Sequence, residues 1–171
     1  MPQNRRQIIL DILKESPTPT KGSQLSETLG VSRQVIVQDI ALLRAEGEDV
    51  IATPRGYLLI RNINNAPQKL FRVFACQHNY QGMEEELKTI VTLGGKIIDV
   101  IVEHPLYGEL RGNIMLEKME DVEEFLGNLS NSGAEPLSVL TKGIHLHTIE
   151  APSRVILDNI QHELKKAGLL V

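Results

Sequence analysis

A chain of 171 residues with 42% hydrophobic content has length for one large domain or two small ones and enough apolar mass for a core, which excludes wholesale disorder. No apolar run approaches the roughly 18 residues that cross a bilayer, so no membrane span is expected. The net charge of −4 is unevenly spread: residues 1–62 hold 8 Lys+Arg against 7 Asp+Glu and the remainder 10 against 15, so the acidic whole does not exclude DNA binding by the first part.

In chain order, Asn4 is a candidate helix cap with Gln7 reaching back to it. Ile8, Ile9, Ile12 and Leu13 then form one apolar stripe, and Ser16-Pro17-Thr18-Pro19 ends the helix. A short second helix starts at Ser23, carries Leu25 and Leu29, and stops at Gly30. Ser32 caps a third that runs to about Glu46. The inner face of this third helix is Ile36, Ile40 and Leu43, widened by Val35 and Leu42. Its outer face is Arg33, Gln34, Val37, Gln38 and Ala41. Asp49–Ala52 and Gly56–Arg61 read as short strands around the turn Thr53-Pro54-Arg55-Gly56.

That outer face is informative. A solvated helix face is usually filled with Glu and Lys, whereas Ser32, Arg33, Gln34 and Gln38 offer donors and acceptors that match base edges and phosphates. A tight turn at Gly30 followed by such a helix is helix–turn–helix spacing, and the hairpin adds a wing with Arg55 at its tip. Arg5 and Arg6 are available for the DNA backbone. The run from Leu25 to Arg44 resembles the winged helix–turn–helix of bacterial repressors.

Asn62–Gln68, with its asparagines and Pro67, reads as a linker, giving domains at 1–62 and 68–171. Beyond it, Lys69–Ala75 is β-rich, Met83–Leu93 helical, and Ile97–Val102 and Gly108–Leu116 are strands. Glu120–Leu129 is a helix, Leu137–Leu140 and Ile144–Ile149 a hairpin, and Ser153–Ala167 a final helix. A β-α-β-β-α-β-β-α order implies an antiparallel or mixed sheet with helices on one face, an α+β protein as a whole.

His145 and His147 are two apart on a strand, so both rings leave the same face. His78 follows the first strand of this region, and Glu86 sits between Met83 and Ile90 at the edge of an apolar helix face. Glu84 pairs outward with Lys88, which leaves Glu86 to lean inward at a cost that asks for a partner. Three imidazoles and a carboxylate suit one divalent transition metal per chain, with zinc, nickel and iron not distinguished by spacing. Four separately half-buried side chains are the plain alternative. The single cysteine, Cys76, excludes an internal disulfide and a thiolate cluster and is expected in the core. His162 is expected at the surface.

Gln77-His78-Asn79, Glu86, Asp99 to Gly108 and Ile144-His145-Leu146-His147 together resemble the 3H domain. Joined to a winged helix–turn–helix, that domain is the architecture of the niacin-responsive repressors of NAD biosynthesis and niacin uptake genes. The resemblance implies a homodimer on double-stranded operator DNA with two half-sites, nicotinic acid as corepressor, and a metal held by His78, Glu86, His145 and His147. The single cysteine and the absence of a long apolar stretch behind Met1–Arg6 lead to the expectation of a cytoplasmic setting. Arg111 is the expected clamp on the ligand carboxylate, or else an ion-pair partner of Glu109. His104 would shape the pocket, and Tyr107 would stack on the ligand ring or simply pack. Two other functions stay open on the sequence: a regulator that responds to the metal itself, and a metal-dependent amide hydrolase carrying a DNA-binding domain.

Overall fold

The computed structural model describes residues 2–60 and 69–171, and the chain divides into two compact units, Met1–Asn65 and Ala66–Val171. The expected linker at Asn62–Gln68 lies outside the described residues, as does the expected strand end at Arg61.

The first unit is three helices and a hairpin: α1 (Pro2–Glu15), α2 (Gly22–Leu29), α3 (Arg33–Ala45), β1 (Val50–Thr53) and β2 (Gly56–Leu59). Helix α1 begins at Pro2, ahead of the expected cap at Asn4. Gln7 accordingly points forward along the helix, its Nε2 donating to Asp11 Oδ1 at 3.0 Å. Gly30 closes α2 with φ 63°, and Ser32 Oγ accepts the Val35 N–H to start α3. Ile9, Leu13, Leu25, Ile36, Ile40, Leu43 and Val50 form the core. Leu42 was expected to widen that inner face, but it is 47% exposed, because the inward stripe of α3 is completed by Asp39 instead.

The second unit runs β3 (Leu70–Gln77), α4 (Tyr80–Thr92), β4 (Lys96–His104), β5 (Gly108–Leu116), α5 (Met119–Ser132), β6 (Ile144–Ala151) and α6 (Arg154–Lys166). Its sheet has the order β3-β6-β4-β5, and every neighbouring pair is antiparallel. Residues of α4, α5 and α6 share one core with the inward side of the strands, while Phe71 and Val73 of β3 face outward. The expected strand at Leu137–Leu140 is instead a 3₁₀ turn, Leu137–Thr141. The reason is that β6 already has β3 on one edge and β4 on the other, so no ladder is open beside it. The order is therefore β-α-β-β-α-β-α.

Helix α4 starts at Tyr80, earlier than the apolar periodicity suggested, because Asn79 caps it: its side chain accepts the N–H groups of Gln81 and Gly82. Strand β4 carries an irregularity between Ile97 and Asp99, where its register shifts against both β5 and β6. No helix among the described residues is long and apolar enough to cross a membrane.

Candidate metal centre and DNA-reading helix

Three imidazoles converge on one carboxylate. Glu86 Oε2 lies 2.6 Å from His78 Nε2, 3.2 Å from His145 Nε2 and 3.4 Å from His147 Nε2. The elements deliver them separately. His78 leaves the end of β3 just before the α4 cap, Glu86 sits one and a half turns or so into α4, and the period of two on β6 sends both His145 and His147 inward. All four side chains are buried, Glu86 to 1% exposure.

The far nitrogens fix the tautomers. His78 Nδ1 bonds the Asn79 carbonyl at 2.8 Å, His145 Nδ1 the Gly143 carbonyl at 2.9 Å, and His147 Nδ1 the Asp99 carbonyl at 2.6 Å. A carbonyl only accepts, so each Nδ1 carries a proton and donates it. Each Nε2 is then left to present either a lone pair or a second proton to Glu86. Three lone pairs facing a carboxylate oxygen repel it, so the cluster needs positive charge, from bound protons or from a cation. Holding Nδ1 on a backbone carbonyl is also how metal-binding histidines are oriented.

The electrostatics agree. Burial opposes the charged form of His78 and His147, but Glu86 outweighs it through hydrogen bonding and charge and raises both above the ordinary imidazole value. Burial likewise works against ionised Glu86, yet the three imidazoles hold it far below the usual carboxylate range. Its second oxygen, Oε1, is buried with no hydrogen-bond partner. An orphaned anionic oxygen beside three Nε2 atoms fits a divalent cation, and this donor set suits a first-row transition metal.

A cavity of about 50 Å³ opens onto the cluster. It is lined by His78, Glu86, His145 and His147 together with the apolar side chains of Val100, Ile114, Phe125 and Leu137. By the roughly 10–15 Å³ that one water needs, it admits only a small molecule.

On α3, Arg33, Gln34, Val37, Gln38 and Ala41 are all exposed, away from the core side. Ser32 Oγ accepts the Val35 N–H, which leaves its hydroxyl proton and a second lone pair for an outward partner. Arg55 sits in the β1–β2 turn, half-buried, its backbone N–H bonded to Thr53 Oγ1. Arg5 and Arg6, expected to be available to DNA, are engaged inside the unit: Arg5 Nε pairs with buried Asp39 at 2.5 Å and Arg6 with Glu46 at 3.0 Å.

A helix–turn–helix with a polar outer face in one unit and a His₃Glu cluster in the other match known families in the same arrangement. Residues 5–58 match the HTH domain and residues 71–171 the 3H domain. The chain is 47% identical to a probable transcription repressor, NiaR of Thermotoga maritima, over 99% of its own length and 94% of that protein. It is 41% identical to the transcription repressor NadR of Bacillus subtilis, over 100% of its length and 95% of that protein. The chain belongs to the 3H-domain family of transcription repressors. It is a regulator and not an enzyme, which removes the hydrolase reading left open above.

Within this 3H domain the remaining expected site residues lie apart from the cavity. His104 Nδ1 accepts the N–H groups of Leu106 and Tyr107, tightening the β4–β5 turn. Tyr107 stacks on it at 5.0 Å between ring centroids and is otherwise exposed. Arg111 is held by two carboxylates, Asp99 and Glu109, and none of these three residues lines the cavity. His162 is at the surface. Two supports were missed. Asp99 accepts from His147 through its carbonyl and from the Thr148 N–H, at 3.0 Å, through Oδ1. Gly143 has φ 92°, and a Cβ there would meet the His78 carbonyl oxygen at 2.3 Å, so only glycine lets the chain pass between two histidines. The Gly143-x-His145-x-His147 spacing was the available signal for the second.

Proposed function

We propose that this repressor binds double-stranded operator DNA of NAD biosynthesis or niacin uptake genes in the cytosol as a homodimer, and that nicotinic acid is its corepressor. Convergence of three Nε2 atoms on Glu86 beside a small cavity with apolar lining is the observation that supports a metal-assisted ligand site. His78, Glu86, His145 and His147 would hold one divalent transition metal, zinc, nickel or iron. When bound, the metal supplies a Lewis-acid position that a carboxylate or pyridine nitrogen can occupy. The chain's own residues do the rest. Backbone carbonyls of Asn79, Gly143 and Asp99 keep the imidazoles oriented, and Phe125, Val100 and Leu137 offer a surface for an aromatic ring. Arg111 reaches the cluster through Asp99, so it shapes the field at His147.

At the DNA, Arg33, Gln34 and Gln38 would read base edges from the major groove, with Ser32 and Arg55 on phosphates. Ligand binding in the 3H domain would favour the dimer geometry that fits two half-sites, a coupling typically worth ~1–3 kcal/mol or roughly 5–150-fold in affinity. The test is fluorescence anisotropy of the full chain on promoter DNA of an NAD synthesis operon at fixed salt, with nicotinate, nicotinamide and buffer in parallel. Tightening with nicotinate alone is expected. Affinity that follows metal dose and ignores nicotinate would instead make the metal itself the signal.

A further inference from the structure

We propose that Ser138 sets the specificity of the ligand cavity. Its hydroxyl donates a hydrogen bond to an acceptor on the ring of a small aromatic acid whose carboxylate sits at the cluster of His78, Glu86, His145 and His147. The inference rests on the reading above that this cavity takes a small carboxylate ligand. It goes further by naming what else that ligand must carry and which residue reads it.

Ser138 belongs to the 3₁₀ turn Leu137–Thr141 and lines the cavity beside the cluster. Every other described lining residue outside the cluster is apolar, Met83 and Phe125 among them. Ser138 is 8% exposed, and its hydroxyl makes no hydrogen bond among the described residues. A buried hydroxyl left without a partner costs free energy, which an acceptor on a ligand recovers. The Ser138 carbonyl is already in use: it accepts the Gly143 N–H at 2.8 Å and the Thr141 hydroxyl at 3.3 Å. Gly143 in turn gives its own carbonyl to His145 Nδ1 at 2.9 Å. The turn that carries Ser138 is therefore tied through one glycine to an imidazole of the cluster, in a single hydrogen-bonded frame.

Charge decides which end of the ligand goes where. On entering a cavity lined by Val100, Ile114, Phe125 and Leu137, a carboxylate loses far more hydration than a neutral ring nitrogen does, so it goes to the positively charged centre. The same apolar side chains suit the faces of an aromatic ring. What remains is the ring's neutral acceptor, and a neutral hydroxyl that rotates to suit it is the matching donor. An aromatic acid without such an acceptor leaves the Ser138 hydroxyl buried and unpaired, and the site rejects it for that reason.

The experiment is isothermal titration calorimetry of the full-length protein, loaded with one equivalent of Zn²⁺, against nicotinate and against benzoate. Benzoate keeps the ring and the carboxylate and lacks the ring nitrogen. The wild type should bind nicotinate roughly 3–10-fold more tightly than benzoate, the worth of one neutral hydrogen bond. Ser138→Ala should bind the two acids alike, having lost the nicotinate preference and kept the benzoate affinity. Alanine keeps the carbonyl on which the turn's hydrogen bonds depend, and Ser138→Thr, which also keeps the hydroxyl, should retain the preference. Equal binding of the two acids by the wild type, or a preference that survives in Ser138→Ala, overturns the Ser138 assignment and leaves the ligand site standing. Binding of neither acid by the wild type overturns the ligand site and this inference with it.

Discussion

The Asp99 carbonyl receives the Nδ1 proton of His147 at 2.6 Å, and it does so from the residue that follows the irregularity in β4. A strand in regular register offers its carbonyls to the ladder; the shift re-aims this one at a side chain. The Asp99 carboxylate then takes the neighbouring Thr148 N–H at 3.0 Å and pairs with Arg111. One residue therefore holds a histidine of the cluster and splices two strands. Asp99→Asn removes the charge that faces Arg111 but keeps the backbone carbonyl that orients His147. Metal affinity should therefore stay within about tenfold of wild type, short of the roughly 10–100-fold seen when an orienting partner is lost. Competition with a chelator of known affinity measures this, and a loss near 100-fold would show that the Asp99 carboxylate as well as its carbonyl supports the centre.

The same cluster predicts an unusual pH dependence for the metal-free protein. His78 and His147 are raised by Glu86, so their contribution to stability is full below the unfolded imidazole value of about 6.5 and disappears as pH climbs through their higher folded values. Glu86 is lowered, so its contribution is present above about 4.3 and is lost only as pH falls toward its depressed folded value. The metal-free protein should therefore be most stable between about 4.3 and 6.5 and should melt at lower temperature at pH 8 than at pH 6. Because bound metal must displace those protons, Zn²⁺ should reverse the trend and release protons on binding. Thermal melts at both pH values, with chelator and with metal, check it; a pH-independent melt with chelator would mean that the imidazoles carry no extra protons.

Much of this was legible because it depends on local pattern. Ser32 and Ser153 announce helix starts by residue type, and both side chains do accept the N–H three residues on. The period of two on β6 is enough to put His145 and His147 on one face, and the flanking Met83 and Ile90 are enough to turn Glu86 inward. What could not be read depends on distant partners. Leu137–Leu140 has strand-like composition, and only the occupied edges of β6 forbid the strand. Cys76 meets His145 through a register between segments that are far apart in sequence. The pair of Arg111 with Glu109, one of its two expected roles, is present, whereas its second carboxylate, Asp99, is brought beside it only by the pairing of β4 with β5 and looks in sequence like any other.

Arg5 illustrates the same limit with a different consequence. It looks like a backbone-contacting arginine, yet Asp39 on α3 is buried to 2% exposure and Arg5 supplies its counter-charge. Arg5→Ala should lower the urea midpoint of the first unit, because a buried carboxylate is left without its partner. Arg6→Ala should fall closer to wild type, since its partner Glu46 is half in solvent. Salt dependence of DNA binding separates stability from contact: if Arg5→Ala flattens the salt slope while the midpoint is unchanged, Arg5 touches phosphate after all.

Arg33 is the position where loss of DNA recognition should be cleanest. It is the first residue of α3 and exposed, and the N-terminal residues of the second helix in this motif enter the major groove first. The helix start is held by Ser32 and the core by Ile36, Ile40 and Leu43, none of which depends on the guanidinium. Arg33→Ala should therefore leave the melting temperature and oligomeric state unchanged. Specific operator affinity should fall by about 1–3 kcal/mol, roughly 5–150-fold, if the guanidinium bridges a guanine edge. Affinity for unrelated DNA should change far less, because backbone contacts elsewhere carry it. Gln34→Ala and Gln38→Ala should relax the preference at single base pairs, read by anisotropy on a set of singly substituted operators. An Arg33 variant that binds every operator as tightly as the wild type would move base readout further along α3, to Gln34, Val37 and Gln38.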